Sequence, residues 1–529
     1  MLFTSFSFLL FAALTLLFYF LLPRRVQWIV LLVSSLTFYL LSGWQYFGFL
    51  IYTAAVTYTT AFFLQKRADA EDAFVTLHRD TMEKSERKAF RAAEKKKRFR
   101  ILLAGLLLGF GMLAVLKYTA FVLSGVKSFL GLFGAGNFTI PSLLLPLGIS
   151  FYTFQSMGYL IDVYRKKARA EKNPAKLLLF VSYFPQLLQG PISRFCDLEE
   201  QLITPHPFDG TAFRSGLLRV MWGYFKKLVM ADTAMIAIRT LIVGAEQYRG
   251  AYVVLLILLY SVQIYGDFTG GIDITIGLSE MMGIRLRENF DRPFSSRSVK
   301  EYWNRWHITM GTWFTDYVFY PLSVSRPMQK LSQAGCRRLG NALGMRLPVY
   351  ISTIVTWFLT GLWHGAGWNF IVWGLLNCAL ILISRELEPL WNRFHRAAPR
   401  LSASRGWGIF QATRTFLLMG WIRSLDCYRD VPLTFSLWGS IFTHPNIGEV
   451  LGGGFLRLGL DAADYGVLLG AILIVLVVTQ LGKRQSLRSR IAPHPAVACA
   501  FICLLAVIVL LFGSYGIGYD ASQFIYTQF

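Results

Sequence analysis

Apolar residues come in runs of about 18–22 along this chain, the length a helix needs to cross a bilayer core of about 30 Å. The pattern predicts spans over 2–22, 27–44, 46–64, 101–118, 142–163, 214–243, 251–270, 347–363, 366–385, 407–423, 466–481 and 493–513. Lys and Arg collect between them, at 24–25, 66–100, 165–176, 285–305, 326–346, 393–405 and 483–490. Alternating sides from an external N-terminus puts each of these connectors on the cytoplasmic side, as the positive-inside rule requires. The first run has no basic residue before it and no small-residue cleavage site, and Arg24 and Arg25 follow it. It therefore reads as a first span and not as a signal peptide.

Two stretches, 176–192 and 271–322, are hydrophobic but interrupted. The segment "LLLFVSYFPQLLQGPISRF" carries Pro185, Gly190 and Pro191. Proline inside a helix removes a donor and clashes with the preceding turn. Non-helical backbone at membrane depth is tolerated only where protein or water surrounds it. The expected architecture is an all-α polytopic bundle of about 11–12 transmembrane helices with re-entrant or short helices around a cavity. The 65–100 stretch mixes acidic and basic residues and predicts a solvated cytoplasmic helix with i,i+4 pairs. No internal repeat is visible, which removes the main sequence support for an inverted-repeat transporter.

Composition agrees with the pattern. Of 529 residues, 54% are hydrophobic and 16% charged, against about 25% charged in soluble domains; mean hydropathy is +0.47. A net charge of +23 would suggest nucleic acid in a soluble protein. Here the connectors account for it, so membrane lipids and not nucleic acid are the expected partner. The six cysteines are scattered without a CxxC, and Cys499 and Cys503 read as packing in an apolar run; no metal site is expected. No G-x-S-x-G and no P-loop occurs, so a serine acyl-enzyme and an NTP-driven pump lack support.

Two of the seven histidines lie in apolar, aromatic surroundings. His364 is the only ionisable group in "WFLTGLWHGAGWNFIVWGLL", where Gly361, Gly365 and Gly367 crowd it. Glycines at small-xxx-small spacing allow close backbone approach, either by a substrate path or by another helix. His307 lies in "SVKEYWNRWHITMGTWFTDYVFYPL", where Ser298 and Glu301 have capping-box spacing. On one continuous helix from Ser298, Trp303, His307, Gly311 and Phe314 would share a face, opposite Arg305, Thr309, Thr312 and Asp316. Asp267 and Asp273 sit in apolar sequence, and a carboxylate at helix centre costs about 2.5–3.5 kcal/mol on insertion scales. Each needs a partner, and the arginines of 285–305 are candidates. Histidine in a cavity suits general-base work because its unperturbed pKa lies near neutrality.

The segments "PLGISFYTFQSMGYLIDVYR" (146–165), "FPQLLQGPISRF" (184–195), "QIYGDFTGGIDITIGLSEMMGIRLRENFDRPF" (263–294), "YWNRWHITMGTWFTDYVFYPL" (302–322), "GLWHGAGWNFIVWG" (361–374) and the closing "FIYTQF" (524–529) together resemble the membrane-bound O-acyltransferases. They are most similar to the bacterial branch typified by the alginate O-acetylation membrane subunit. The resemblance implies one membrane domain over 1–529, with core motifs in 142–385, the basic loop at 65–100 and C-terminal helices in 407–529. It implies a central tunnel with His364 as catalytic base and His307 towards its cytoplasmic end. Around them Trp303, Arg305, Trp306, Gly311, Asp316, Trp363, Gly365, Asn369, Asp267 and Gln189 are expected to line the path.

The family likeness further implies an acetyl group taken from a cytoplasmic donor, acetyl-CoA, with no bound cofactor. It implies passage across the bacterial cytoplasmic (inner) membrane to a polysaccharide acceptor, with an extracytoplasmic partner of the SGNH-hydrolase type. Arg285, Arg287, Arg292 and Arg297 are candidates for the donor's phosphates, although positive-inside topology also explains them. Where alginate-type members carry a Gly-Gly-Asn run, this chain reads "DYVFYPLSVSRP". That departure points away from alginate as acceptor and leaves peptidoglycan, bacterial cellulose or a secondary wall polysaccharide. The alternatives are D-alanyl transfer to teichoic acid from a carrier protein, and a transporter with no bond-making role.

Overall fold

The computed structural model describes residues 3–134, 138–187, 189–483 and 485–515; "FIYTQF" and the rest of 516–529 lie outside them. The described residues are predominantly helical, with an isolated antiparallel bridge between Phe290 and Trp306. Among the described residues eight helices are long and apolar enough to cross a membrane, and Phe6–Leu21 and Val431–Thr443 are shorter apolar helices. Among the described residues every predicted span overlaps helix, with shifted ends. The chain is an all-α multi-pass membrane protein. It forms two compact units, 1–213 with 278–286, and 214–277 with 287–529.

The first unit contains α1 (Phe6–Leu21), α2 (Gln27–Ser42), α3 (Phe47–Leu77), α4 (Lys84–Gly131), α5 (Ile149–Tyr164), α6 (Pro174–Ser182), α7 (Phe184–Leu187) and α8 (Phe195–Ile203). The expected 65–100 loop is mostly the ends of α3 and α4. A reciprocal capping box between Glu83 and Glu86 starts α4, so only a short turn separates the helices. Its charges pair at i,i+3, as Lys97–Glu94 at 2.6 Å, and between the helices, as Arg98–Glu71 at 2.9 Å. The span predicted from 142 becomes helical only at Ile149. Gly148 before it has φ +71°, and the carbonyl of Leu187 occupies the place a Cβ would take. The Pro185 segment breaks into α6 and α7 as expected. The main-chain N–H of Phe184 at the break donates to Ser35 Oγ of α2 at 3.1 Å, which satisfies a buried donor that the helix has released.

The second unit begins within α9 (Gly210–Tyr224), which continues through a π-helical stretch, Phe225–Ala231, into α10 (Asp232–Val243). These elements lie backbone to backbone with α11 (Ala251–Met281). A Cβ on Gly223 would meet the Gly270 carbonyl oxygen at 2.6 Å, and one on Gly266 the Lys226 carbonyl oxygen at 2.7 Å. Then follow α12 (Val299–Arg305), α13 (Ile308–Phe314), α14 (Leu347–His364), α15 (Trp368–Glu386), α16 (Arg405–Tyr428), α17 (Ala462–Leu481) and α18 (Pro495–Phe512). The helices α14 and α15 form a hairpin, α16 packs on α15, and α17 and α18 pack on the π-helical stretch.

Candidate active site

The expected single helix through His307 is two helices. Ser298 caps α12 by accepting from the Glu301 N–H at 3.1 Å. The Glu301 carboxylate accepts from the N–H of Arg297 at 2.7 Å, one residue earlier than a capping box places it. The helix stops at Arg305, Trp306 is extended, and His307 takes the left-handed conformation, φ +49° and ψ 53°. That conformation costs a non-glycine residue roughly 1–2 kcal/mol. Trp303, His307 and Gly311 therefore do not share one helical face. The imidazole stands at a corner, fully buried, its Nδ1 at 3.2 Å from Asn289 Oδ1. Its ring lies edge-on to Phe268 and Trp363, with centroids 4.9 and 5.6 Å away.

His364 is the last residue of α14. Gly365 and Gly367 are extended, and the chain re-enters helix at Trp368. The crowding glycines serve the neighbouring helix. A Cβ on Gly361 would lie 2.5 Å from the Phe370 carbonyl oxygen, and one on Gly374 2.5 Å from that of Trp357. At Gly365 the Phe370 ring fills the space of a side chain. This tight hairpin leaves the His364 ring beside Trp363 and Trp373, at 5.0 and 4.7 Å between centroids. Trp373 in turn packs on Trp303 at 5.6 Å, and Trp303 on Trp357 at 4.9 Å.

One aromatic cluster thus joins both histidines, with Trp363 touching each ring. Two buried donors belong to it. Trp303 Nε1, and Nδ2 of Asn369 one turn before Trp373, make no hydrogen bond among the described residues. Buried N–H donors can polarise a carbonyl oxygen that comes within their reach. Trp306 is core: Tyr302 stacks on it at 5.7 Å and the Arg423 guanidinium lies 4.4 Å over its ring. Arg305 pairs within its own segment with Glu301 at 2.7 Å. Asp316 is partly buried in the π-helical turn Thr315–Phe319. Gly311 is not cramped, since a Cβ there would meet Trp303 O only at 3.8 Å. Gln189 is buried in the first unit.

Asp267 and Asp273 find their partners on the π-helical stretch and α9, not among the arginines of 285–305. Lys227 Nζ lies 2.6 Å from Asp267 and 2.7 Å from Asp232, with all three side chains essentially inaccessible. Arg219 binds Asp273 at 2.8 Å and Glu288 at 2.6 Å, and Lys226 binds Asp273 at 2.7 Å. Asp267 is therefore part of a buried ion cluster that ties α11 to its neighbour. A cavity of about 530 Å³ is lined by Arg219, Lys226, Asp273 and Glu288 together with apolar residues of α17 and α18, among them Ile474, Val478, Leu504 and Leu505. Neither histidine lines it. Of the four arginines proposed for the donor's phosphates, Arg292 does. Among the described residues no group of His, Cys, Asp and Glu is arranged to hold a metal ion.

Sequence reasoning passed over Lys226, Lys227, Arg219 and Arg423. The "KK" inside an apolar run was a signal, since two cations at that depth demand carboxylates. Asn289 carried no such signal.

Comparison with known proteins bears directly on this constellation. The probable alginate O-acetylase AlgI of Azotobacter vinelandii is 34% identical over 391 residues, covering 73% of this chain and 69% of its own. This chain belongs to the membrane-bound O-acyltransferase family. The family model, described as MBOAT, membrane-bound O-acyltransferase family, matches residues 166–335. The probable alginate O-acetylase AlgI of Pseudomonas aeruginosa is 34% identical over 413 residues, 76% of this chain and 68% of that one. A peptidoglycan O-acetyltransferase of Helicobacter pylori is 30% identical over 347 residues, 61% of each chain. The membrane-bound O-acyltransferase assignment makes the chain an acyltransferase, and the matched region takes in the His307 corner.

Proposed function

We propose that this acyltransferase moves an acetyl group from acetyl-CoA on the cytoplasmic side of the bacterial inner membrane towards a cell-surface or exported polysaccharide. An extracytoplasmic SGNH-hydrolase-type protein completes the transfer. The observation that carries this reading is the meeting of His307 and His364, from separate segments, on Trp363. The names of the relatives, acetylases of alginate and of peptidoglycan, support acetyl as the group and a glycan as the destination. The departure at "DYVFYPLSVSRP" favours a glycan other than alginate.

In this reading His364 is the general base. Its imidazole takes the proton of an acceptor hydroxyl as that oxygen bonds to the acyl carbon of the thioester. The C–S bond then breaks, and the imidazolium returns the proton to the departing thiolate. Trp303 Nε1 and Asn369 Nδ2 are the candidate donors to the carbonyl oxygen as it gains charge. His307 places the donor end of the substrate.

The test is transfer from radiolabelled acetyl-CoA by purified protein in vesicles, with and without the secreted partner. We expect His364→Ala to insert normally and lose transfer by about 10²-fold or more. His307→Ala should lose transfer or donor affinity. Wild-type rates in His364→Ala would return that residue to a structural role, and no label movement by the wild type would reject acetyl-CoA as donor.

A further inference from the structure

Asn289 lies in the segment between α11 and α12 and is fully buried. Its side-chain oxygen accepts from the main-chain N–H of Thr309 at 3.0 Å and from the Thr309 hydroxyl at 2.9 Å. The same oxygen faces His307 Nδ1 at 3.2 Å. Its main-chain carbonyl accepts from the N–H of Ile308 at 3.0 Å. The flanking residues continue the clamp, through the Phe290–Trp306 bridge and the Asp291 N–H donating to Arg305 O at 3.0 Å. The strained turn at His307 is therefore held from the strand-like segment centred on Asn289.

This arrangement decides where the imidazole proton sits. A main-chain N–H can only donate, so the amide atom facing Thr309 N must be the oxygen, whatever the histidine does. An oxygen facing Nδ1 requires a proton on Nδ1. In the neutral ring the lone pair is then on Nε2. The amide orientation and the ring tautomer follow from one donor that has no choice.

We propose that Asn289 is a positioning residue that holds His307 as the Nδ1–H tautomer, with Nε2 as its basic atom. The inference rests on the reading of His307 as a site residue. Asn289 touches no substrate in this reading; it acts through the ring. Replacing it with alanine removes the acceptor, so the proton redistributes between the two nitrogens. Aspartate keeps an oxygen towards both Thr309 and Nδ1 and should keep the tautomer.

The experiment is solid-state NMR of ¹³C,¹⁵N-histidine-labelled full-length protein in lipid vesicles, with the His307 signals identified by their loss in His307→Gln. We expect a protonated Nδ1 and an unprotonated Nε2 in the wild type, a measurement that needs no other variant. Asn289→Ala should move protonation to Nε2 or mix the two, and lower acetyl transfer about tenfold or more, because a ring with the wrong nitrogen protonated misplaces the donor end of the substrate and a misplacement of about 1 Å can cost 10²-fold. Asn289→Asp should retain Nδ1 protonation and recover most of the transfer. Three results would each overturn the inference: a wild-type ring protonated at Nε2, an unchanged ring in Asn289→Ala, or a changed ring with unchanged transfer. Full activity in His364→Ala, measured alongside, would instead strike the proposed function and leave the tautomer result standing.

Discussion

Replacing Gly361 with alanine tests whether the α14–α15 hairpin sets the position of His364. The added Cβ would lie 2.5 Å from the carbonyl oxygen of Phe370, 3.2 Å from its carbon and 3.4 Å from Ile371 Cα. The neighbours are main chain, so no rotamer can relieve the contact. Bringing the first distance to an ordinary 3.4 Å moves one helix from the other by roughly 1 Å, one turn before His364. Overpacking of this kind costs about 1–3 kcal/mol. Alanine for glycine in a helix returns about 1 kcal/mol, so the net loss of stability is about 0–2 kcal/mol. The effect on rate should be larger, since a misplacement of about 1 Å can cost 10²-fold. The control is Gly466→Ala on α17, where nothing lies within 4 Å of the new Cβ. Both variants would be assayed for acetyl transfer in vesicles and for the fraction still monodisperse on size exclusion after graded heating. We expect Gly466→Ala to match or slightly exceed wild type in both. Gly361→Ala should lose most of its activity while remaining folded. Equal activity in the two variants would refute the idea that backbone contact at Gly361 holds the histidine in place.

The buried ion cluster makes a second, asymmetric prediction. Lys227→Met removes the cation that Asp232 and Asp267 share and should cost about 3–5 kcal/mol, whereas Asp267→Asn leaves Lys227 paired with Asp232 and should cost clearly less; heating followed by size exclusion would rank them, and equal losses would contradict the shared-cation reading. In the first unit, Arg98→Met removes the nearer cation of buried Glu71, 2.9 Å away, and leaves Lys166 at 3.9 Å, so it should destabilise by less than the roughly 3–5 kcal/mol of a buried charge left wholly unpaired. Removing the exposed Arg346–Glu386 pair should change stability by less than about 1 kcal/mol, read on the same assay.

Hydrophobic run length, proline placement and the basic connectors determined the class of this protein from its sequence. Those signals are local: an apolar run long enough to span must be helical in lipid, because no other backbone there satisfies its own donors and acceptors. The break around Pro185, the cap at Ser298 and the two apolar-embedded histidines were legible for the same reason. The motifs also carried the family, which the relatives bear out. What sequence order could not convey is which groups meet across helices. Asp267 and Asp273 announced that they needed cations, but tertiary packing chose Lys227, Lys226 and Arg219 over the arginines nearby in sequence. The glycines around His364 announced close approach, and only the hairpin showed that the approaching body is α15. His307 read as one position on a continuous helix; a left-handed corner, clamped by an asparagine 18 residues away, decided otherwise. Burial and hydrogen-bond partnership are properties of pairs of segments. A desolvated charge or donor must be matched by whatever the fold brings within about 3 Å, and that neighbour is set by packing, not by sequence distance.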